Sequence, residues 1–504
     1  MSALAPAQSP LAPPAEETLD PVDWEALREL THRIVDEALD YVRDVRDRPP
    51  WQDMPPEVKA SFASGLPASP TLLSGVYREV SETVMRYPMG NIHPRFWSWY
   101  MGSSNFTGAL GDFLAAVQGS NLGGGNHAAA QVERQVIDWF KEMMGFPASA
   151  SGTLVSGGSV ANLVALTVAR NAKAGTDIRE HGVGSVERPL RFYGSDQLHS
   201  CHRKSMETIG LGNAALRRVP SDEGSHIDIP ALREAIAEDR EAGVQPACII
   251  GSAGTVNTGA IDNLEELAEV AEREGLWFHV DGCIGALIAI APGNAWRVKG
   301  ISRAHSIALD PHKWLHAPFE VGCVLIRDAR THRGTFALTP EYLEHTARGL
   351  ASGEWLYDYG LQTTRGFRAL KVWMSLKEHG AAKFGRLIDQ NIAQAAYLAG
   401  LIEAELALEL HEAREINIVC FRHRADALGA DRRKAVNVEI MLRLQEQGLA
   451  VISDTTLKGE HWLRVAVNNH RTRREDLELL VREVLRIGGQ VIGDLHASGA
   501  NPKG

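Results

Sequence analysis

Between about residues 93 and 340, short apolar runs alternate with segments of helical period, and this alternation restricts the fold more than any other feature of the chain. Residues 190–193, 247–252, 276–281, 306–309 and 321–326 are apolar runs of strand length. Residues 131–144, 159–172 and 264–274 instead repeat apolar positions at intervals of three and four, as a helix does when it buries one face. Strands that are apolar almost throughout, with helices between them, predict an α/β fold in which a mostly parallel sheet is covered on both faces. In such sheets the ligand crevice lies beyond the C-terminal ends of the strands.

Two of these runs end on reactive side chains. Leu276-Trp277-Phe278-His279-Val280-Asp281 delivers a carboxylate to a strand end. Residues 306–309 lead into Asp310-Pro311-His312-Lys313-Trp314, which places Lys313 32 residues after Asp281. Taken singly, Lys313 reads as a surface lysine and Asp281 as a helix cap. Taken together they match what pyridoxal 5'-phosphate (PLP) requires: an amine to engage its aldehyde and a carboxylate against its pyridine nitrogen. The small residues Gly282-Cys283-Ile284-Gly285-Ala286 let a flat ring lie close to the backbone. Ser156-Gly157-Gly158-Ser159 precedes a helix whose N-terminus suits a phosphate, though Ser159 would serve equally as an ordinary cap. In the polar turn 195–200, His199 is flat enough to stack on a conjugated ring. His199 and His202 also have a spacing that a metal accepts, but no third ligand or thiolate pair is near and no metal is expected. The glycine-rich stretch 251–259 lacks the G-x-G-x-x-G dinucleotide pattern, so a nicotinamide cofactor is not supported.

The ends of the chain read differently. Residues 20–45 form an amphipathic pattern (Trp24, Leu27, Thr31, Ile34, Ala38, Tyr41, Val42), followed by a Pro-rich passage from 49 to 70. This is an arm whose apolar stripe needs a neighbour, such as a second subunit. After Phe367 a long helix is expected through 401, then strands at 416–421, 449–453 and 462–467 with helices at 435–447 and 474–487. The expected division is 1–90 for leader and arm, 91–380 for a large cofactor-binding domain and 381–504 for a small α+β domain. Residues 1–16, rich in Ala and Pro, read as a disordered leader and not as a signal peptide. A net charge of −11 argues against nucleic acid or an anionic membrane as partner, and no run reaches transmembrane length. Cys201, Cys248, Cys283, Cys323 and Cys420 are odd in number and widely spaced, as expected of reduced thiols in a cytoplasmic protein.

These motifs, with His93-Pro94-Arg95-Phe96 and residues 133–139, 254–264, 339–345 and 365–373, make the chain resemble the group II PLP-dependent amino-acid decarboxylases, and within them the aromatic-L-amino-acid branch. The resemblance covers nearly the whole chain. It implies the fold type I architecture of aspartate aminotransferase and a homodimer with its sites at the dimer interface. It implies that Lys313 carries the cofactor, Asp281 pairs with the pyridine nitrogen, His199 stacks on one ring face and Cys283 lies under the other, where the family usually has alanine. Gly158 and Ser159 are implied for the phosphate, with Ser306 and His312 nearby and Thr255 beside the cofactor. Tyr342 is implied as the proton donor to the substrate carbon after CO2 leaves. Trp99 and Tyr100, with Trp97, are candidates for a substrate wall, with core packing as the competing use, and Asn121 in the glycine-rich stretch 119–125 is a further pocket candidate. The chain departs from the family pattern at His305, where an acid is common, and at Val256, where many relatives have a second threonine. The expected reaction is decarboxylation of an L-amino acid, first an aromatic one, to an amine. The rival outcomes are a decarboxylating aldehyde synthase, an aminotransferase and a non-catalytic relative. Tyr342 favours simple decarboxylation, and the joint presence of Lys313, Asp281, His199 and Tyr342 disfavours an inert protein.

Overall fold

The computed structural model describes residues 17–338, 346–425 and 428–499. A seven-stranded sheet organises the larger part: β1 (Ser151–Val155), β2 (Leu190–Ser195), β3 (Leu216–Val219), β4 (Gln245–Ser252), β5 (Trp277–Asp281), β6 (Ser306–Leu309) and β7 (Gly322–Ile326), in the order β1-β7-β6-β5-β4-β2-β3. β6, β5, β4, β2 and β3 pair in parallel, and β7 runs antiparallel to both β6 and β1. β1 therefore points the same way as the parallel strands, and only β7 is reversed. The expected mostly parallel sheet is what forms, with its C-terminal strand ends along one edge.

β5 explains why these apolar runs become central strands. Phe278 and Val280 are buried in the core on one face, and Trp277 is buried in the cluster on the other. Burying each such side chain contributes roughly 1.5–3 kcal/mol. Alternation puts Asp281 on the same face as Trp277 and His279, the face on which the Gly158–Lys173 helix packs. Register brings Ser252 and Ala308 level with Asp281 on the neighbouring strands. Three strand ends thus converge within two inter-strand spacings.

A second, antiparallel sheet follows: β8 (Leu408–Leu410), β9 (Ile418–His423), β10 (Ser453–Leu457) and β11 (Glu460–Ala466), in the order β10-β11-β9-β8. Helices Gly429–Glu446 and Arg474–Gly499 pack against it. The strand expected at 449–453 forms instead at Ser453–Leu457. Lys458 and Gly459 both have positive φ (48° and 80°) and close a two-residue hairpin that sets the pairing. The apolar residues just before it, Ala450, Val451 and Ile452, are buried. The helix expected from 367 to 401 is two helices, Ala369–His379 and Ala381–Glu403, broken at Gly380 with φ 72°.

The N-terminal helix spans Trp24–Arg43, and the Asp23 carboxylate caps it by accepting from Glu25 N and Ala26 N. Only Leu30 along it is buried, while Leu19, Val22, Trp24 and Leu39 are exposed. All five cysteines are free and buried. Among the described residues, no helix is long and apolar enough to cross a membrane.

Candidate active site

The strand ends enclose a cavity of about 450 Å³. Its lining includes Trp99, Tyr100, Gly158, Ser159, His199, Thr255, Asp281, Cys283, His312 and Lys313, residues that the sequence placed on six separate segments. Asp281, at the end of β5, accepts a hydrogen bond from His202 Nε2 on Oδ2 at 2.8 Å and from Cys283 N on Oδ1 at 3.2 Å. Burial by itself would raise the carboxyl, but the His202 hydrogen bond and charge outweigh it and hold Asp281 well below the usual carboxylate range.

Lys313 sits one turn beyond β6, on the short Pro311–Trp314 helix. Its Nζ lies 3.0 Å from Asp310 Oδ2 and 5.9 Å from the centre of the Tyr100 ring. Burial disfavours the ammonium, yet the Asp310 carboxylate more than offsets this and raises its pKa. His312 donates through Nδ1 to Val321 O at 2.7 Å. That leaves Nε2 pointing toward Asp310, 3.8 Å away. His199 uses Nδ1 to accept from Cys201 N, and burial lowers its pKa. The Tyr100 hydroxyl is turned away to Asn417, whose Nδ2 donates to it at 2.9 Å, so its ring forms the wall.

The residues present fit PLP. The Gly158–Lys173 helix starts at the cavity with no side-chain cap at Gly157, so its first N–H groups are available to an anion. A Cβ at Gly158 would lie 2.8 Å from Asp310 Oδ2 and inside contact range of Cys283 Sγ, so the cradle closes on any larger residue. An amine, a carboxylate with a depressed pKa and an anion seat share one cavity.

The pyridoxal-dependent decarboxylase conserved domain matches residues 55–424, well over half the chain. The chain belongs to the pyridoxal-dependent decarboxylase family. It is a PLP-dependent amino-acid decarboxylase, a carboxy-lyase. It is 33% identical over 476 residues to an aromatic-L-amino-acid decarboxylase of Bacillus atrophaeus, covering 93% of this chain and 96% of that one. It is 28% identical over 494 residues to tryptophan decarboxylase 2 of Oryza sativa subsp. japonica, covering 95% and 98%. A crystal structure of Oryza sativa TDC with PLP and tryptamine superposes with a TM-score of 0.86 at 26% identity, covering 94% of this chain and 100% of that one.

Not every residue expected at the site of this decarboxylase is there. Ser306 does not line the cavity. It pairs with His279, two residues in from the end of β5, and its hydroxyl accepts from Trp277 Nε1 at 2.8 Å and contacts His279 Nδ1 at 2.9 Å. Asn121 does not line it either, because its Oδ1 is held by the backbone N–H groups of Gly123 and Arg365. Trp97 is fully buried in the core of the smaller sheet, with Nε1 donating to Thr472. Trp99 does line the cavity and is half exposed. The Thr255 hydroxyl contacts Thr258 Oγ1 and accepts from Ala260 N. His305, where an acid is common, accepts from Phe278 N and stacks on Trp277. Tyr342 lies outside the described residues.

Three participants were missed. Asp310 was legible as part of the lysine motif, but its pairing with Lys313 was not. His202 was noticed only for its spacing from His199. Among the described residues, Cys201, His202 and Asp281 bring potential metal-ligand atoms within 4.8 Å of one another, and two of these three already bond each other. Arg464, buried on β11, donates to the carbonyls of Trp99, Val256 and Asn257, and so ties the smaller sheet to two cavity walls. No local pattern announces it.

Proposed function

We infer that this decarboxylase acts on an aromatic L-amino acid and releases the corresponding amine and CO2. One observation carries the choice of substrate. Among the described lining residues Lys313 is the sole lysine or arginine, so an acidic substrate side chain would be desolvated without a counter-charge. Tyr100, Trp99, Met101, Val256 and Ile284 instead offer aromatic and apolar surface. The names of the relatives, aromatic-L-amino-acid and tryptophan decarboxylases, support the same reading.

PLP, when bound, supplies an aldehyde for the substrate amine and a pyridinium ring that takes up the electrons left by departing CO2. The chain's residues divide the remaining work. Lys313 supplies the amine that holds the cofactor between turnovers, and Asp310 keeps that amine directed into the cavity. Asp281 would accept the pyridine N–H. Gly158 and Ser159 at the helix N-terminus would hold the phosphate, with His312 nearby. His199 would cover one ring face and Cys283 the other, with Thr255 shaping the rim. Tyr342 delivers a proton to the substrate Cα, which directs the outcome to amine over aldehyde.

The enzyme works as a cytoplasmic homodimer. The exposed apolar side chains Leu19, Val22, Trp24 and Leu39 need covering, and five unpaired thiols suit a reducing compartment. Light scattering of a chain lacking residues 1–45 tests the first point, and an intact dimer would count against it. The substrate test incubates the protein with PLP and each of the twenty amino acids, and measures CO2, amine, aldehyde and peroxide. Aromatic amine is expected. Preferential turnover of aspartate or glutamate would overturn the substrate reading, and aldehyde with peroxide would overturn the outcome.

A further inference from the structure

His202 is fully buried on the Cys201–Thr208 helix. Its Nε2–H donates to Asp281 Oδ2 at 2.8 Å, and its Nδ1 has no hydrogen-bond partner among the described residues. Leaving a buried polar nitrogen unsatisfied is costly, and an apolar residue of similar shape would avoid that cost. The one polar interaction the ring makes must therefore be its use. Its position agrees. His202 stands one helical turn after His199, so a single segment presents one imidazole to the cavity and a second behind Asp281.

The surroundings leave Asp281 dependent on this contact. Besides His202, the titratable groups around it are His199 three residues before His202, His279 on its own strand, Cys283 just after it, Cys201 on the helix, and Lys313 and Asp310 after β6. His279 is committed elsewhere. The Trp277 indole can only donate, so it fills one lone pair of Ser306 Oγ, and the hydroxyl proton goes to His279 Nδ1. His279 Nε2–H then donates to Asn162 Oδ1 at 2.7 Å, and Asn162 Nδ2 faces Cys201 and Cys283. Lys313 is engaged by Asp310. His199 lines the cavity and uses Nδ1 to accept from Cys201 N, and among the described residues His202 is the one imidazole hydrogen-bonded to Asp281.

We propose that His202 is a positioning residue for the cofactor's pyridine nitrogen, fixing the Asp281 carboxylate in the orientation and ionisation that receive the ring N–H. This rests on the reading that Asp281 meets that nitrogen. The test uses two ligands with the full-length, cofactor-stripped protein: PLP, and a deaza analogue carrying C–H in place of the pyridine nitrogen. Dissociation constants are measured by fluorescence titration for wild type, His202→Leu, His202→Asn, His202→Gln and Asp281→Ala. Wild type should prefer PLP over the analogue by on the order of ten- to a hundredfold, as for a hydrogen bond to a charged group. His202→Leu, and His202→Asn whose amide is too short to reach Oδ2, should lose most of that preference. His202→Gln, whose amide reaches about as far as Nε2, should keep it within about threefold. A residue that only supported the fold would weaken both ligands equally. Unchanged preference in the Leu and Asn variants, with preference lost in Asp281→Ala, would overturn the role of His202 alone. Preference retained in Asp281→Ala would overturn the Asp281 reading itself, and the proposal with it.

Discussion

Replacing Gly158 by alanine sets two effects of known sign against each other. In a helix alanine is intrinsically favoured over glycine by about 1 kcal/mol. Here, however, the new methyl would sit 2.8 Å from Asp310 Oδ2, 3.2 Å from Cys283 Cβ and closer still to Cys283 Sγ. Ordinary contacts are about 3.5–4.0 Å, so the thiol and the loop after β5 must retreat by roughly 1 Å. Over-packing of this kind costs about 1–3 kcal/mol. In the cofactor-free protein the propensity gain offsets much of the strain, and the melting temperature should change little. With PLP bound the retreat is blocked by the ring, so the strain passes to binding: about 1–3 kcal/mol is roughly a five- to 150-fold weaker dissociation constant. Absorbance titration with PLP measures it. Gly489→Ala isolates the propensity effect, since that helical glycine has nothing within 4 Å of its would-be Cβ, and it should stabilise by about 1 kcal/mol. Adding Cys283→Ala to Gly158→Ala removes the nearest atom and should recover about tenfold in affinity. PLP affinity of Gly158→Ala within twofold of wild type, or no recovery in the double variant, would refute the cradle argument.

Other outcomes follow from the same geometry. Lys313→Ala should lose the visible absorption of the lysine-bound cofactor and nearly all turnover, checked by spectrum and amine assay. Arg464→Met should raise KM while leaving that absorption in place, because the guanidinium braces Trp99 and Val256 without lining the cavity itself. His226 hydrogen-bonds Glu415 at 3.1 Å, which outweighs burial and raises its pKa to about 9, with Asp222 adding to the effect. The folded value exceeds the ordinary 6.5, so the contribution is full below pH ~6.5 and is lost as pH rises through about 9. For a ring about one third exposed it amounts to about 1 kcal/mol after screening. Urea unfolding of wild type and His226→Gln should differ at pH ~6 and converge above pH ~9.5. Tyr342→Phe should form amine much more slowly and, in air, release some aldehyde and ammonia, and unchanged amine output would assign the proton donor elsewhere.

The amino-acid sequence by itself determined the strands and what stands at their ends. An apolar run such as 276–281 has no stable place except a buried strand, and a charged residue terminating it must face the crevice, so Asp281, Lys313 and a helix start close to Gly158 and Ser159 were legible together, whereas the missing side-chain cap at Gly157 was not. These are short-range consequences of periodicity and backbone sterics. Position along a strand was the weakness of the same reasoning: Ser306 begins β6 and lies about 6–7 Å in from the level of Asp281, so it joins Trp277 and His279 instead of the cofactor seat. Tertiary structure alone decided that β7 is reversed, that Trp97 fills the core of the smaller sheet while Trp99 reaches the cavity, and that Arg464 braces two of its walls. It alone decided that His202 meets a carboxylate 79 residues away. Such contacts depend on how separate elements pack and on which buried polar groups remain to be satisfied, and neither is written in the local pattern of residues.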